Sequence, residues 1–244
     1  MSARVNEIAL SGAPRNVTGM VPYSVARSAI VPMSINVRGE STVYRAVVRP
    51  IGTATSEIRL RLPVDTPPGI YTGESMIDGE PRRVMVKVDA VLRISVVPKQ
   101  TRVTTAAKST VEFGLTVMNG GNVAFDVPKS DAFDLDDAVG QERALGKTLR
   151  APLAPGEHRI DRFFDELRES HGGEAQVSVR SGAGPLQPGE SRELSCTLAV
   201  PATAREGRSY SGPWTLGNTA HVIVADIKTS GRPRNGTPKA ETRV

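Results

Sequence analysis

The sequence predicts an all-β protein built from two tandem β-sandwich domains, and three observations support this fold class. Residues 56–88 recur as residues 191–227: in each copy an alternating strand ends in proline, and a polar link, a Tyr-Thr/Ser-Gly tripeptide and a β-branched strand follow. The 23 Gly and 18 Pro residues are spread along the chain, as expected for many short strands joined by turns. The length of 244 residues suits two ordinary domains, and with 39% hydrophobic but only 4% aromatic residues their cores should be mainly aliphatic.

The first predicted domain spans residues 1–88 and consists of short strands. The clearest is 57–62, where aliphatic and charged residues alternate as they do in a half-buried antiparallel strand. The turn at 78–80 predicts a hairpin with the strand that follows it. The strands predicted for this domain are 5–10, 30–37, 41–48, 57–62, 70–77 and 83–88.

The second predicted domain spans residues 89–228. An Asn-Gly-Gly-Asn motif at 119–122 predicts a tight turn, because these residue types tolerate positive φ. The sequence near 89–90 lacks the composition of a linker, which predicts a stiff junction between the domains. The strands predicted for this domain are 91–97, 110–118, 123–127, 176–180, 193–200, 210–214 and 221–227.

Residues 128–173 do not fit the repeat and are predicted to be an insertion in the second domain. The insertion is expected to contain an acidic loop and one helix at 156–170 whose apolar residues recur at helical spacing. Two interpretations of the apolar helix face stay open: it covers an open end of the second sandwich, or part of it docks a partner protein. The acidic loop residues are Asp131, Asp134, Asp136 and Asp137, and the apolar helix residues are Ile160, Phe163, Phe164 and Leu167. In the second interpretation the candidate partner contacts are Phe163, Phe164 and Leu167.

Residues 116–128 carry a resemblance to a known fold family. A strand there ends in Val-x-Asn and is followed by Gly-Asn and by a second strand that ends in proline. Later in the chain, Pro188-Gly189-Glu190 leads into another strand, which is followed by Tyr-Ser-Gly. This pattern resembles bacterial immunoglobulin-like β-sandwich modules over about two thirds of the chain. The resemblance implies that Tyr71 and Tyr210 anchor corners of the two sandwiches. Such modules include adhesion, carbohydrate-associated, chaperone-like and scaffold proteins, so the resemblance transfers no functional residue.

The sequence predicts neither a catalytic site nor a bound metal or cofactor. Cys196 lies in a predicted strand, where an unpaired thiol usually packs as a small hydrophobe, and none of the three His residues stands in a recognisable motif. The acidic loop lacks the Gly and the final Glu of an EF-hand calcium loop. Asp161 and Asp165 lie on one helix face, but a lone helix does not form the cleft that a glycosidase requires. The chain is therefore predicted not to be an enzyme.

Most of the formal net charge of +5 lies near the C-terminus, because five basic residues and one acidic residue occur from Lys228 onward. The nearly neutral remainder argues against nucleic-acid binding, which usually requires a basic face. Residues 229–244 are expected to form a disordered basic tail that either solubilises the chain or contacts an acidic partner or an anionic membrane surface. The tail's candidate contacts are Arg232, Arg234, Lys239 and Arg243.

These observations favour a structural protein that binds other protein subunits. The leading hypothesis is an accessory or scaffold subunit of a larger bacterial complex, including membrane-associated ones such as respiratory or photosynthetic complexes. Since no secretory signal and no apolar run long enough to span a bilayer is visible, the expected location is the cytoplasm or the cytoplasmic face of a membrane. The alternative hypothesis is an exported adhesion or carbohydrate-binding immunoglobulin-like module.

Overall fold

The computed structural model describes residues 7–22, 25, 27–77 and 79–229. The N-terminal part of these residues forms one sheet, called the first sheet below. Its strands are β1 (Glu7–Ala13), β2 (Asn16–Val21), β3 (Ala29–Val37), β4 (Glu40–Pro50), β5 (Ser56–Leu60), β6 (Gly69–Ile77) and β7 (Glu80–Val88).

The first sheet closes on itself in the order β1-β2-β5-β4-β3-β6-β7, because β1 pairs antiparallel with β2 and parallel with β7. Every second side chain points toward one aliphatic core, as the pleat of a strand requires. In β5, Ile58 and Leu60 are fully buried while Arg59 between them is exposed, so the alternation predicted from the sequence is confirmed.

The C-terminal part forms an eight-stranded sheet, called the second sheet, with its own hydrophobic core around Tyr210 and Trp214. Its strands are β8 (Ile94–Val97), β9 (Gln100–Thr105), β10 (Thr110–Asn119), β12 (Ser130–Asp137), β13 (His171–Ser181), β15 (Ser191–Ala199), β16 (Ser209–Leu216) and β17 (Thr219–Ile227). A separate two-stranded ribbon pairs β11 (Phe125–Val127) with β14 (Gly184–Leu186). Two helices, α1 (Gly140–Arg150) and α2 (Arg159–Arg168), connect β12 to β13.

The strand order of the second sheet repeats that of the first. Apart from β8, the order is β10-β15-β13-β12-β16-β17-β9, and these strands take the places of β2, β5, β4, β3, β6, β7 and β1. The parallel pair matches too, since β9 pairs with β17 as β1 pairs with β7. The two copies of the sequence repeat, β5–β7 and β15–β17, therefore occupy equivalent places in two sheets, which confirms the interpretation of the repeat.

The repeated tripeptide has the same structural task in both sheets. The Tyr71 hydroxyl donates a hydrogen bond to the Pro67 carbonyl at 2.7 Å, and the Tyr210 hydroxyl accepts one from the Arg205 amide at 2.9 Å. Each tyrosine thus fixes the loop that precedes its strand, as a corner tyrosine does. The glycine two residues later lies against the neighbouring strand, because a Cβ on Gly73 or Gly212 would overlap a backbone carbonyl oxygen of β3 or β12.

The acidic stretch around Asp131–Asp137 is strand β12, not a loop, so this part of the predicted insertion 128–173 was wrong. β12 pairs with β13 along its length and with β16 at its end. Phe133 and Leu135 point into the core, while Asp134 and Asp136, which follow them in turn, point to solvent. The alternation that makes a half-buried strand was present in the sequence, but the density of aspartates obscured it. Strands β2 and β9 also lie where the sequence predicted none.

A buried asparagine connects the two halves of the chain. The Asn122 side chain accepts a hydrogen bond from the Val91 amide at 2.6 Å, and donates to the carbonyls of Asp89 at 2.9 Å and Thr66 at 3.0 Å. Thr66 belongs to the loop between β5 and β6, so this amide links the Asn-Gly-Gly-Asn turn to the first half. Beside it, a Cβ on Gly121 would overlap the Val91 carbonyl oxygen, so the segment after β7 lies directly against the turn.

The remaining predictions of chain organisation concern the domain bounds, the basic tail and Cys196. The domain bounds 1–88 and 89–228 stay predictions. The basic tail 229–244, apart from Thr229, lies outside the described residues. Cys196 is fully buried in β15, and burial raises the pKa of its thiol to about 11, which makes it an inert core residue.

Candidate interaction surface

The two helices between β12 and β13 form a hairpin that a buried carboxylate holds to the second sheet. The Asp137 side chain is only 1% exposed; it pairs with Arg143 of α1 and, at 3.3 Å, with Arg208 just before β16. Its Oδ1 atom also accepts a hydrogen bond from the Val139 amide at 3.1 Å. One side chain therefore connects the end of β12, the first turns of α1 and the entry to β16.

The two ends of the hairpin meet beside this carboxylate. The Asp137 amide donates to the Ser170 carbonyl at 3.1 Å. A Cβ on Gly140 would lie 2.7 Å from the Cβ of Ser170, so a glycine is needed where the chain enters α1 next to its exit from α2. The base of the hairpin is therefore closely packed.

Polar contacts also hold the helices to each other. Lys147 of α1 and Glu166 of α2 form an ion pair at 2.5 Å. The Arg159 guanidinium donates to the Thr148 carbonyl at 2.8 Å, and the Arg162 guanidinium donates to the Pro152 carbonyl at 2.7 Å. These hydrogen bonds satisfy carbonyl groups at the C-terminal end of α1 and in the following loop, which have no acceptor role within the helix itself.

The outer faces of the hairpin carry exposed apolar side chains among charged ones. Helix α2 has no buried residue, and its Ile160 and Phe164 side chains are 58% and 50% exposed. Phe163 and Leu167 are half-buried, and the rings of Phe163 and Phe164 lie 5.8 Å apart. Below, these four residues are called the α2 face. Adjacent helical positions thus differ in burial, with Phe164 facing solvent more than Phe163.

Helix α1 adds exposed apolar side chains that the sequence did not indicate. Leu145 is 51% exposed and Leu149 is 60% exposed, whereas the buried positions of α1 are Gly140, Ala144 and Thr148. The large apolar residues of α1 therefore point outward and the small ones inward. No sequence pattern signals this arrangement, because periodicity alone assigns the large apolar residues to the core.

Side chains that could bind a metal ion do not cluster in the part of the chain that the structure describes. No cluster of three or more His, Cys, Asp or Glu side chains there could hold a metal ion. The sequence argues against calcium binding by Asp134 and Asp136. In the structure their Oδ1 atoms lie 3.8 and 3.3 Å from the ring nitrogens of the exposed His171. Helices α1 and α2, with 11 and 10 residues, are too short to cross a bilayer.

Four of the partner contacts that the sequence predicted belong to the basic tail. Arg232, Arg234, Lys239 and Arg243 lie outside the described residues. The structure therefore brings together only the helical candidates Phe163, Phe164 and Leu167.

The strand order decides the fold family. Strands β1, β2, β5 and β4 follow one another as A, B, E and D do in a constant-type immunoglobulin domain, and β3, β6 and β7 follow as C, F and G. The chain has an immunoglobulin-like fold. The helical hairpin then corresponds in place to the connection between strands C and D of the second sheet.

Comparisons with known proteins found structural similarity at low sequence identity only. No protein-family model matches the chain, and no curated protein is similar to it in sequence. A protein of unknown function from Porphyromonas gingivalis aligns with 91% of this chain and 97% of its own, at 9% identity and a TM-score of 0.28. An I-band fragment of titin aligns with 91% of this chain and 62% of its own, at 10% identity and a TM-score of 0.36. Titin domains in complex with telethonin align with 91% of this chain and 94% of their own, at 10% identity and a TM-score of 0.27.

Proposed function

We propose that this chain is a non-enzymatic interaction module that binds a partner protein through the α2 face. The observation that carries the proposal is a helix without any buried residue that exposes Ile160 and Phe164. Large apolar side chains grouped on a surface are typical of protein-binding sites, and aromatic side chains often supply most of the binding energy. The buried Asp137 and the tight base of the hairpin hold this face in a fixed position, which reduces the entropy lost on binding.

The finer form of the proposal is an accessory or scaffold subunit of a larger bacterial complex at the cytoplasmic face of a membrane. Its support comes from the sequence: four cations occur at 232–243, and near an anionic bilayer each contributes about 1 kcal/mol. In such an assembly the α2 face would contact a protein subunit while the tail contacts lipid. An attachment of this kind is weak and sensitive to salt.

The protein-binding proposal is tested with Phe164→Glu and a matched control, Ile70→Glu. Ile70 is 68% exposed and lies on β6 of the first sheet, far along the chain from the hairpin. Both variants place a carboxylate on an exposed apolar site, so both should keep the parental melting temperature. Tagged full-length proteins are crosslinked in cells of the source organism, and the bound proteins are identified.

The expected result is a partner that co-purifies with the parent and with Ile70→Glu but is lost from Phe164→Glu. If all three proteins retain the same partners, the α2 face is not the binding site. The membrane proposal has a separate test: the parent should sediment with vesicles rich in phosphatidylserine at low salt. Changing Arg232, Arg234, Lys239 and Arg243 together to Gln should abolish this, and equal sedimentation of the two proteins would contradict the role of the tail.

A further inference from the structure

The outer side of helix α1 presents a surface distinct from the α2 face. It is made by Glu142, Leu145, Gly146, Leu149 and Arg150, and is called the α1 face below. At 100° per residue these five positions lie opposite the buried Gly140, Ala144 and Thr148. The face therefore points away from the second sheet, and Leu145 and Leu149 are more than half exposed, whereas Glu142, Gly146 and Arg150 also line a groove beside Glu166 of α2.

Gly146 in the centre of the α1 face is not explained by packing within the chain. A Cβ at this position would contact only the Arg150 guanidinium, at 3.8 Å, so any small side chain could be accommodated. Glycine inside a helix is less favourable than alanine. The distance between two packed helices depends on the side chains at their crossing point, and glycine permits the closest approach.

The charges of the α1 face are arranged symmetrically about this glycine. Glu142 lies four residues before Gly146 and Arg150 four residues after it, which is about 6 Å along the helix axis in each direction. Neither side chain has a charged partner among the described residues, in contrast to Arg143 and Lys147 of the same helix. The face thus carries two unpaired, opposite charges at equal distances from a point where another helix can approach.

We infer that the α1 face binds the α1 face of a second copy of this chain, with the two helices antiparallel and crossing at Gly146. A two-fold axis through the crossing point places Glu142 of each copy opposite Arg150 of the other, so the same ion pair forms twice. Leu145 and Leu149 of both copies then lie beside the crossing point and exclude water from it. An isologous contact requires a self-complementary surface, and a glycine centred between equal and opposite charges is one.

The dimer presents two α2 faces at once. Because the α2 face and the α1 face share no residue, formation of the dimer does not depend on whether the α2 face binds a partner. If it does, two linked sites bind a multivalent partner more tightly than either site alone.

The first test measures the mass of the full-length chain by sedimentation velocity over about 1 to 500 µM, a range suited to small interfaces. The expected result is a reversible dimer for the parent and for Ile70→Glu. Gly146→Leu should be monomeric and yet melt at the parental temperature or above it, because leucine favours the helix but blocks the crossing point. A parent that is monomeric throughout this range, or a Gly146→Leu protein that dimerises as the parent does, overturns the inference.

The second test reverses the charges. Glu142→Arg alone should weaken dimerisation about tenfold, because two attractive pairs become repulsive ones. Arg150→Glu alone should do the same, and the double variant Glu142→Arg/Arg150→Glu should restore the parental dissociation constant. If the double variant is as weak as the single ones, the two residues do not face each other and the antiparallel arrangement is wrong.

Discussion

Replacing Asn122 with Ala tests how the two halves of the chain are joined. The Asn122 amide is almost fully buried and makes three side-chain hydrogen bonds, to the Val91 amide and to the carbonyls of Asp89 and Thr66. Each is worth about 1 kcal/mol net, so Asn122→Ala should lower the free energy of unfolding by about 3 kcal/mol. Only the bond to Thr66 reaches the loop between β5 and β6, and its loss should loosen the junction.

Asn122→Asp sharpens the test, because it keeps the shape of the side chain. One carboxylate oxygen can still accept the Val91 hydrogen bond, but the other replaces a donor and faces the carbonyl oxygens of Asp89 and Thr66. An unpaired charge buried among acceptors is more destabilising than a small gap. At neutral pH the Asp variant should therefore be less stable than the Ala variant.

Asn119→Ala is the matched control. The Asn119 amide is fully buried and also makes three side-chain hydrogen bonds, to the Gly121 amide and to the carbonyls of Val123 and Leu186, all within the second half of the chain. Urea denaturation should show a similar loss of stability for both Ala variants. Small-angle X-ray scattering at a concentration where each protein is monomeric should show a broader distribution of distances for the Asn122 variant only.

Two results would refute this account of the junction. If Asn119→Ala and Asn122→Ala give the same scattering curve, the bond to Thr66 does not hold the two halves together. If Asn122→Asp is as stable as the parent at neutral pH, the amide nitrogen does not donate to these carbonyls.

Three further predictions concern the second half of the chain. Asp137→Asn should cost about 3–5 kcal/mol in urea denaturation and reduce the helical circular dichroism signal, because Arg143 and Arg208 lose their shared carboxylate; unchanged helicity would show that the hairpin is held otherwise. Burial lowers the pKa of His221, an effect that the nearby Pro98 carbonyl partly offsets, so His221 contributes stability that is present above its unfolded pKa of about 6.5 and is lost as the pH falls from that value through the lower folded pKa. The decline from pH 7 to pH 5 should be smaller in His221→Phe, and an identical decline would contradict the assignment. Gly212→Ala should destabilise by at least about 2 kcal/mol, because a methyl group there overlaps a β12 carbonyl; a melting temperature equal to the parent's would disprove the close approach.

Much of the sheet architecture could be predicted from local patterns. Strand β5 alternates cleanly because one side faces a core and the other solvent, and the repeat located its counterpart β15 without further information. The prediction missed strand β12 for a local reason. Four of its eight residues are aspartates, as in a loop, although Phe133 and Leu135 alternate with polar residues as they do in a strand. The tripeptides that begin at Tyr71 and Tyr210 were recognisable as a repeat. Their glycines allow two strands to approach each other, but this role can be predicted only when the neighbouring strand is known.

The helical hairpin shows why a binding surface is harder to predict than a core. Hydrophobic periodicity identifies which residues share a helix face, and it correctly grouped Phe163 with Leu167. It does not indicate whether that face is covered, because the covering element lies elsewhere in the chain. Around Asp137 the hairpin is held by charge and by small residues, and its most exposed apolar side chains take no part in these contacts. Leu145, Leu149 and Phe164 are exposed, and exposed apolar side chains grouped on a surface are typical of protein-binding sites.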